Sequence, residues 1–217
     1  VYKDLINALP KATARLTKSF RMRDDDPDGR DILKFAAAIR ETKPTLDSVS
    51  QKNSVQEIRW AGAEHVSDNV PKDAMVAAWY ERQFSFLERL PFMMTHSAVS
   101  DVDDPIHETY SQLLDEFERT QVLAVTREGP AGVNSLNRLF QSIHCERYHL
   151  NPKQTFQTGT PVIMRRNDYQ HDLFNGDQGV VIGPRHGDIN EHSVLFRGAN
   201  GNRLLPLGSL LGDLELA

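Results

Sequence analysis

Several residue groupings in this chain have the composition of reactive sites, and each can be weighed by its spacing. LLDEF, Leu113–Phe117, has the outline of an acidic magnesium site after an apolar strand, but its residues fit a helix face better. His144-Cys145 joins two metal-ligand types, yet no second pair follows at zinc-site spacing. His171-Asp172 has two members of a nucleophilic triad and no serine or cysteine at an elbow. Neither G-x-x-x-x-G-K-[ST] nor G-x-G-x-x-G occurs, so the chain has no evident phosphate cradle of its own. Self-contained catalysis and a bound metal are therefore not expected. What remains is a set of polar residues just past apolar runs, where α/β sheets commonly place ligand contacts. These are Thr126 and Arg127 after QVLAV, and Arg165, Arg166 and Asn167 after PVIM, with Asn175 in the turn LFNGDQG.

The elements that must position them follow from periodicity. DGRDILKFAAAIRE, Asp28–Glu41, predicts a helix capped by Asp28, with Ile32, Phe35, Ala36 and Ile39 on one face. VQEIRW, Val55–Trp60, alternates like a short strand. PKDAMVAAWYERQFSFLERLPFMM begins a helical region at Pro71, and Pro105 opens another with Tyr110, Leu113, Leu114 and Phe117 inward. Gln121–Gly129 reads as a strand ending at Gly-Pro, and Gly132–His144 as an amphipathic helix. A strand, a glycine turn and a helix in series suggest an α/β layer. After Gly159 the texture changes to PVIMRRN, GVVIG, SVLFR and RLLPL, separated by NG, RHGD and GANG. Four short strands in about fifty residues predict a small β-barrel beyond a boundary near Thr158, with Pro206 at a strand end or edge.

Composition narrows the setting. The 217 residues carry a formal charge of −5 and a single cysteine. An internal disulfide is excluded, and a reducing, cytoplasmic compartment is expected. No apolar run approaches a membrane span, and VYKDLINALPK lacks a signal-peptide core. An overall acidic balance argues against whole-surface affinity for nucleic acid while leaving room for a local basic track. Between Gly159 and Gly208 the arginines are matched by carboxylates, which predicts weak, salt-sensitive binding by that region alone. Strand alternation sends Arg165 and Arg166 to opposite faces. Tyr169 or Phe174 could stack on a base, though residue type alone assigns Phe174 to the core. Arg21, beside Asp24, Asp25 and Asp26, reads from its neighbours as a surface or ion-paired arginine. Thr126 and Arg127 either touch a phosphate or anchor a loop with Asn134 and Asn137. The lack of an initial methionine and the apolar ending LGDLELA suggest an excerpt from a longer protein.

Three segments in order carry a resemblance: RLTKSFRMR (Arg15–Arg23), VLAVTREGPAGVNSLNRLF (Val122–Phe140) and GTPVIMRRNDYQHDLFNGDQGVVIG (Gly159–Gly183). The third is the most specific, through G-x-P-V-x-x-x-x-N-D and L-F-N-G-D-x-G. Together they resemble the second half of the helicase core of the RecD family, the alpha subunits of exodeoxyribonuclease V. The likeness is weakest between about Asn53 and Thr120.

The resemblance implies a superfamily 1 helicase that couples ATP hydrolysis to 5′-to-3′ movement on single-stranded DNA. The implied fold is α/β: residues 1–157 as part of a second RecA-like, P-loop NTPase-type lobe with helical segments. Residues 158–212 would be a small SH3-like β-barrel insertion, and 213–217 a return towards the lobe. ATP and magnesium would serve the full-length protein, with none expected in this fragment, whose Walker loop would lie upstream and whose next motif, of T-x-H-K-S-Q-G type, downstream. Arg21 would match the family's L-x-x-S/Q-F/Y-R motif and reach the ATP γ-phosphate, where a guanidinium neutralises charge developing on the transferred group. Thr126, Arg127, Arg165, Arg166, Asn167 and Asn175 would meet single-stranded DNA. Partners would be RecB-like and RecC-like subunits of a bacterial complex engaged in double-strand-break repair, with no membrane. A non-catalytic module docking partner subunits, or a helicase acting alone, are the alternatives.

Overall fold

The computed structural model describes residues 2–14, 26–40, 49–85, 87, 105–198 and 201–217. Arg21 and the rest of Arg15–Arg23, with Asp24 and Asp25, lie outside them. The chain divides into two compact units, Val1–Pro71 and Lys72–Ala217.

The first unit holds α1 (Tyr2–Ala8), α2 (Pro27–Arg40) and two short parallel strands, β1 (Ser50–Lys52) and β2 (Glu64–Val66). Helix α2 forms where the periodicity predicts, but its cap is Asp26 and not Asp28. The Asp26 carboxylate accepts from the Gly29 N–H at 3.0 Å, and its carbonyl accepts from Arg30. Two positions earlier, the aspartate faces the orphan N–H groups of a helix that starts at the proline. VQEIRW is likewise not a strand: Val55–Glu57 is a 3-10 turn. The Glu57 carboxylate reaches back to the Asn53 N–H and the Ser54 hydroxyl, so Ser54-x-x-Glu57 acts as a helix-start signal and overrides the alternation. Glu64 then organises the following turn. Burial pushes its carboxyl up, but N–H donors from Arg59 and Trp60 and the Lys52 ammonium at 3.2 Å together hold it below the usual range.

The second unit is built on three helices, α3 (Lys72–Phe84), α4 (Pro105–Arg119) and α5 (Val133–Tyr148). The region expected to continue α3 through Met94 falls largely outside the described residues. LLDEF lies within α4, with Leu113 and Leu114 buried, in line with a helix face rather than a metal site. Five antiparallel strands follow: β3 (Pro161–Met164), β4 (Gln178–Ile182), β5 (Ser193–Phe196), β6 (Arg203–Pro206) and, after the short helix α6 (Leu207–Leu210), β7 (Leu214–Leu216). Their order is β6-β5-β4-β3-β7, so Pro206 ends an edge strand where its missing N–H costs no ladder bond. Among the described residues β6 and β7 are not paired with each other, and the sheet is not closed into a barrel.

Both faces of this sheet are covered, which explains why GVVI and SVLF read as unbroken apolar runs. Val180, Ile182 and Leu195 pack against Tyr80, Phe84 and Leu114 of the helices. Val162, Val181, Val194 and Phe196 face the other way, onto Leu207, Leu210 and Leu214. Strict alternation of polar and apolar residues requires one wet face, and the central strands have none. The architecture is a mixed α/β arrangement, and no described helix is long and apolar enough to cross a membrane.

The expected strand at Gln121–Gly129 is irregular chain, with bends at Val125 and from Arg127 to Gly129, and has no ladder partners among the described residues. Leu123 is 88% exposed and Val125 fully so, and neither belongs to a ladder among the described residues. Strand propensity needs a neighbouring backbone to become a strand.

Candidate nucleic-acid interface

Three of the residues singled out in the sequence, Arg127, Arg165 and Asn175, line one open cavity of about 600 Å³. Its apolar wall comes from Trp79, Phe117 and Phe140 of the helices and Val122, Ile163 and Leu216 of the extended segments. The positions of the polar residues are set by local hydrogen bonding.

Thr126–Gly132 wraps over the start of α5. The carbonyls of Thr126 and Arg127 accept from the Val133 and Asn134 N–H groups at 3.0 Å each, two of the donors a helix start leaves unsatisfied. The Thr126 hydroxyl donates to the Glu128 carbonyl at 2.8 Å, and Asn134 donates to the Glu128 carboxylate. Thr126 and Asn134 therefore anchor the loop. Asn137 donates to the Leu216 carbonyl, tying α5 to β7. With its backbone held, Arg127 extends its exposed side chain to Glu215, 2.5 Å away.

Arg165 and Arg166 do not diverge as strand alternation would send them. The strand ends at Met164 and the chain bends, so both arginines find carboxylates two positions apart: Arg165 with Glu215 at 3.6 Å, Arg166 with Asp213 at 3.9 Å. The Arg165 N–H also donates to the Asp213 carbonyl at 2.7 Å. Three arginines against two carboxylates leave one formal positive charge, and all three guanidinium groups are mostly exposed.

The loop between β3 and β4 brings Asn167 and Asn175 together. The Asn167 side-chain oxygen accepts from the Asn175 N–H at 2.8 Å, and its amide donates to the Tyr169 hydroxyl. Phe174-Asn175-Gly176-Asp177 closes with the Asp177 N–H on the Phe174 carbonyl at 2.9 Å. Of these four only Gly176 takes a positive φ, +98°, so this is a type II arrangement. Upstream, Asp168 accepts from the His171 ring at 2.6 Å, and also from the N–H groups of His171 and Gln170, which holds its carboxyl below the usual range. The His171 and Asp172 carbonyls accept from Arg203.

Phe174 is not in the core. It is 46% exposed and meets the exposed Tyr169 edge-on at 6.3 Å, while its neighbour Leu173 takes the buried position. Residue type could not separate the two; the Asp168–Leu173 bridge decides which side chain turns inward. The result is an exposed aromatic pair bonded through Asn167 to the same loop as Asn175.

Two features were not evident from sequence. Glu215 and Asp213 are the carboxylates that collect the arginines, and only pairing of β7 with β3 brings them there. His144, next to Cys145, is buried beneath the cavity. Its Nε2 donates to the Thr158 carbonyl at 2.8 Å, leaving Nδ1 to accept from the Tyr80 hydroxyl at 2.6 Å. Burial holds the imidazole below its ordinary pKa, against the opposing effect of the Thr158 hydrogen bond. Cys145 is free and buried, with its thiol pushed up by burial. No set of three potential metal ligands converges among the described residues.

No family model matches the chain. A RecBCD enzyme subunit RecD of Mycobacterium tuberculosis is 32% identical over 99 residues, 46% of this chain and 16% of that protein. The RecBCD enzyme subunit RecD of Mycolicibacterium smegmatis is 34% identical over 71 residues, 33% of this chain and 13% of that protein. The matched part thus spans less than a sixth to about a sixth of these curated relatives, and over it this chain is RecD-like.

Proposed function

We propose that this chain belongs to an ATP-dependent 5′-to-3′ DNA helicase of the exodeoxyribonuclease V alpha type and forms part of its single-stranded DNA channel. Residues 1–157 would contribute to a second RecA-like lobe, residues 158–212 to an SH3-like insertion, and residues 213–217 to the return. The observation that carries the reading is the meeting of Arg127 and Arg165, from segments 38 positions apart, at one cavity that Asn175, the chain neighbour of the exposed Phe174, also lines. Exposed guanidinium groups suit backbone phosphates, and exposed aromatics suit sequence-tolerant stacking. The similarity to RecD subunits supports the same assignment. Arg166, Asn167 and Asn175 would complete the contact, and Thr126 would act through the loop it anchors.

In the whole protein Arg21 would reach the γ-phosphate of ATP–Mg, with RecB-like and RecC-like subunits as partners in the bacterial cytoplasm. The test is anisotropy of labelled oligodeoxythymidylate on the full-length protein, with ATP turnover in parallel. Arg127→Ala with Arg165→Ala should weaken DNA binding, and Arg21→Ala should abolish turnover while leaving binding intact. Wild-type DNA affinity in the double variant would sink the channel assignment.

One observation favours a second reading, a protein-docking module. Leu123 and Val125 expose apolar surface on an irregular segment that joins no ladder among the described residues. If Leu123→Asp abolishes subunit assembly while the arginine variants bind DNA normally, that reading prevails. Normal helicase activity in the absence of RecB-like and RecC-like subunits would instead identify an enzyme that acts alone.

A further inference from the structure

The Arg127–Glu215–Arg165 cluster has the geometry of an occupied anion site. One carboxylate oxygen of Glu215 meets Arg127 Nη2 at 2.5 Å, and the other faces Arg165 Nε at 3.6 Å. Two guanidinium groups from separate segments bracketing two oxygens of one anionic group is also how paired arginines hold a phosphate. The arginine side chains are 64% and 57% exposed, whereas Glu215 is 23% exposed, so the cations are reachable from solvent and the carboxylate sits beneath them. The backbone of each of the three residues is anchored by hydrogen bonding. Arg127 is fixed by the cap of α5, Arg165 by its N–H bond to the Asp213 carbonyl, and Glu215 by pairing with Ile163 in the sheet.

We propose that Arg127 and Arg165 form a two-arginine subsite for a nucleic-acid phosphate, and that Glu215 fills this subsite in the free chain as an internal phosphate mimic. The inference rests on the DNA-channel reading and adds a residue that acts against binding. Exposed ion pairs contribute little in water, so a polyanion can displace the carboxylate at small cost. While Glu215 is engaged, its one negative charge offsets one of the two guanidinium charges and its two oxygens face both groups, which keeps the site from holding stray anions. When DNA arrives, its phosphate takes over the guanidinium donors and Glu215 turns to solvent.

The decisive measurement is the affinity of the full-length protein for fluorescein-labelled oligodeoxythymidylate at fixed salt. Glu215→Gln keeps the shape and removes the charge, and should tighten binding by about two- to fivefold, the range expected when one exposed ion pair no longer competes. In an Arg127→Ala, Arg165→Ala background, the same substitution should change nothing. Glu146→Gln, on the exposed face of α5, removes equal charge elsewhere and should leave affinity unchanged. Unfolding midpoints of all variants establish that each is folded, and Glu215→Asp, too short to span both arginines, gives a second route to the same release. If Glu215→Gln and Glu215→Asp leave affinity unchanged or weaken it while the double arginine variant loses binding, the mimic is refuted and the channel reading stands. If the double arginine variant binds normally, both fail. Tightening by Glu215→Gln without the arginines, or equally by Glu146→Gln, would reduce the effect to net charge and also refute the mimic.

Discussion

The two glycines of LFNGDQG make a sharp test, because they are required for different physical reasons. Gly179 pairs with Phe196 in the β4–β5 ladder. A Cβ at Gly179 would stand 2.7 Å from the Leu195 carbonyl oxygen and 2.8 Å from two carbons of the Phe196 ring. Phe196 is fully buried, and the oxygen belongs to backbone, so neither can swing away. The strands must part by several tenths of an ångström or the ring must leave its rotamer. Overpacking of this kind costs roughly 1–3 kcal/mol, and weakening one ladder hydrogen bond adds about 1 kcal/mol. Gly179→Ala should therefore lose roughly 2–4 kcal/mol, a fall of about 5–15 °C in melting midpoint for a unit of this size. At Gly176 a Cβ meets nothing within 4 Å, but φ is +98°. Gly176→Ala should cost only about 1 kcal/mol, and Gly176→Asn less, since asparagine tolerates that region. Thermal denaturation followed by circular dichroism on the purified chain reads all three variants. A Gly179→Ala midpoint within a degree of wild type, or a larger loss at Gly176 than at Gly179, would refute the close-packing argument.

Tyr80→Phe keeps the stack on Phe84 but leaves His144 Nδ1 without its donor, and chemical denaturation should register a loss of about 1–3 kcal/mol. Burial depresses the His144 pKa, so at acid pH the unfolded chain takes up a proton that the folded chain resists. Stability should thus be complete above the unfolded value of 6.5 and fall as pH drops below it; melting midpoints between pH 7.5 and 5 should show this slope, flattened in His144→Gln. Arg197 bonds Glu118 at 2.9 Å and Asp115 at 2.6 Å on an exposed surface, so Arg197→Ala should cost under about 1 kcal/mol and less again in high salt, as read by urea midpoints. The purified chain should show no ATP turnover above background; turnover lost in Arg21→Ala would contradict an incomplete nucleotide site.

Local signals were legible wherever the structure obeys them locally. The four strands from Pro161 to Pro206 were readable because short apolar runs lie between turn signals, and α4 and α5 because their apolar residues keep a helical period. Misreadings arose where a side chain answered to something distant or to a competing local bond. VQEIRW alternates like a strand, yet Glu57 captures its own N-terminal donors. QVLAV has strand propensity, yet among the described residues it joins no ladder. Phe174 has the size of a core residue, yet Leu173 holds the inward position.

The order of residues alone accounts for the chemical inventory: one cysteine, no phosphate loop, arginines and asparagines at the ends of apolar runs, and turns specified by glycine. These are properties of residue type and short spacing. Tertiary structure alone decided which of those groups meet. Arg127 and Arg165 stand 38 positions apart and share Glu215 only because β7 returns to pair with β3, a long-range register that no local pattern encodes. It also decided that His144 is a buried hydrogen-bonding residue, since Tyr80 and Thr158 reach it from other elements. Charge and propensity act over a few residues of chain; burial and pairing act across space, and the candidate site depends on both.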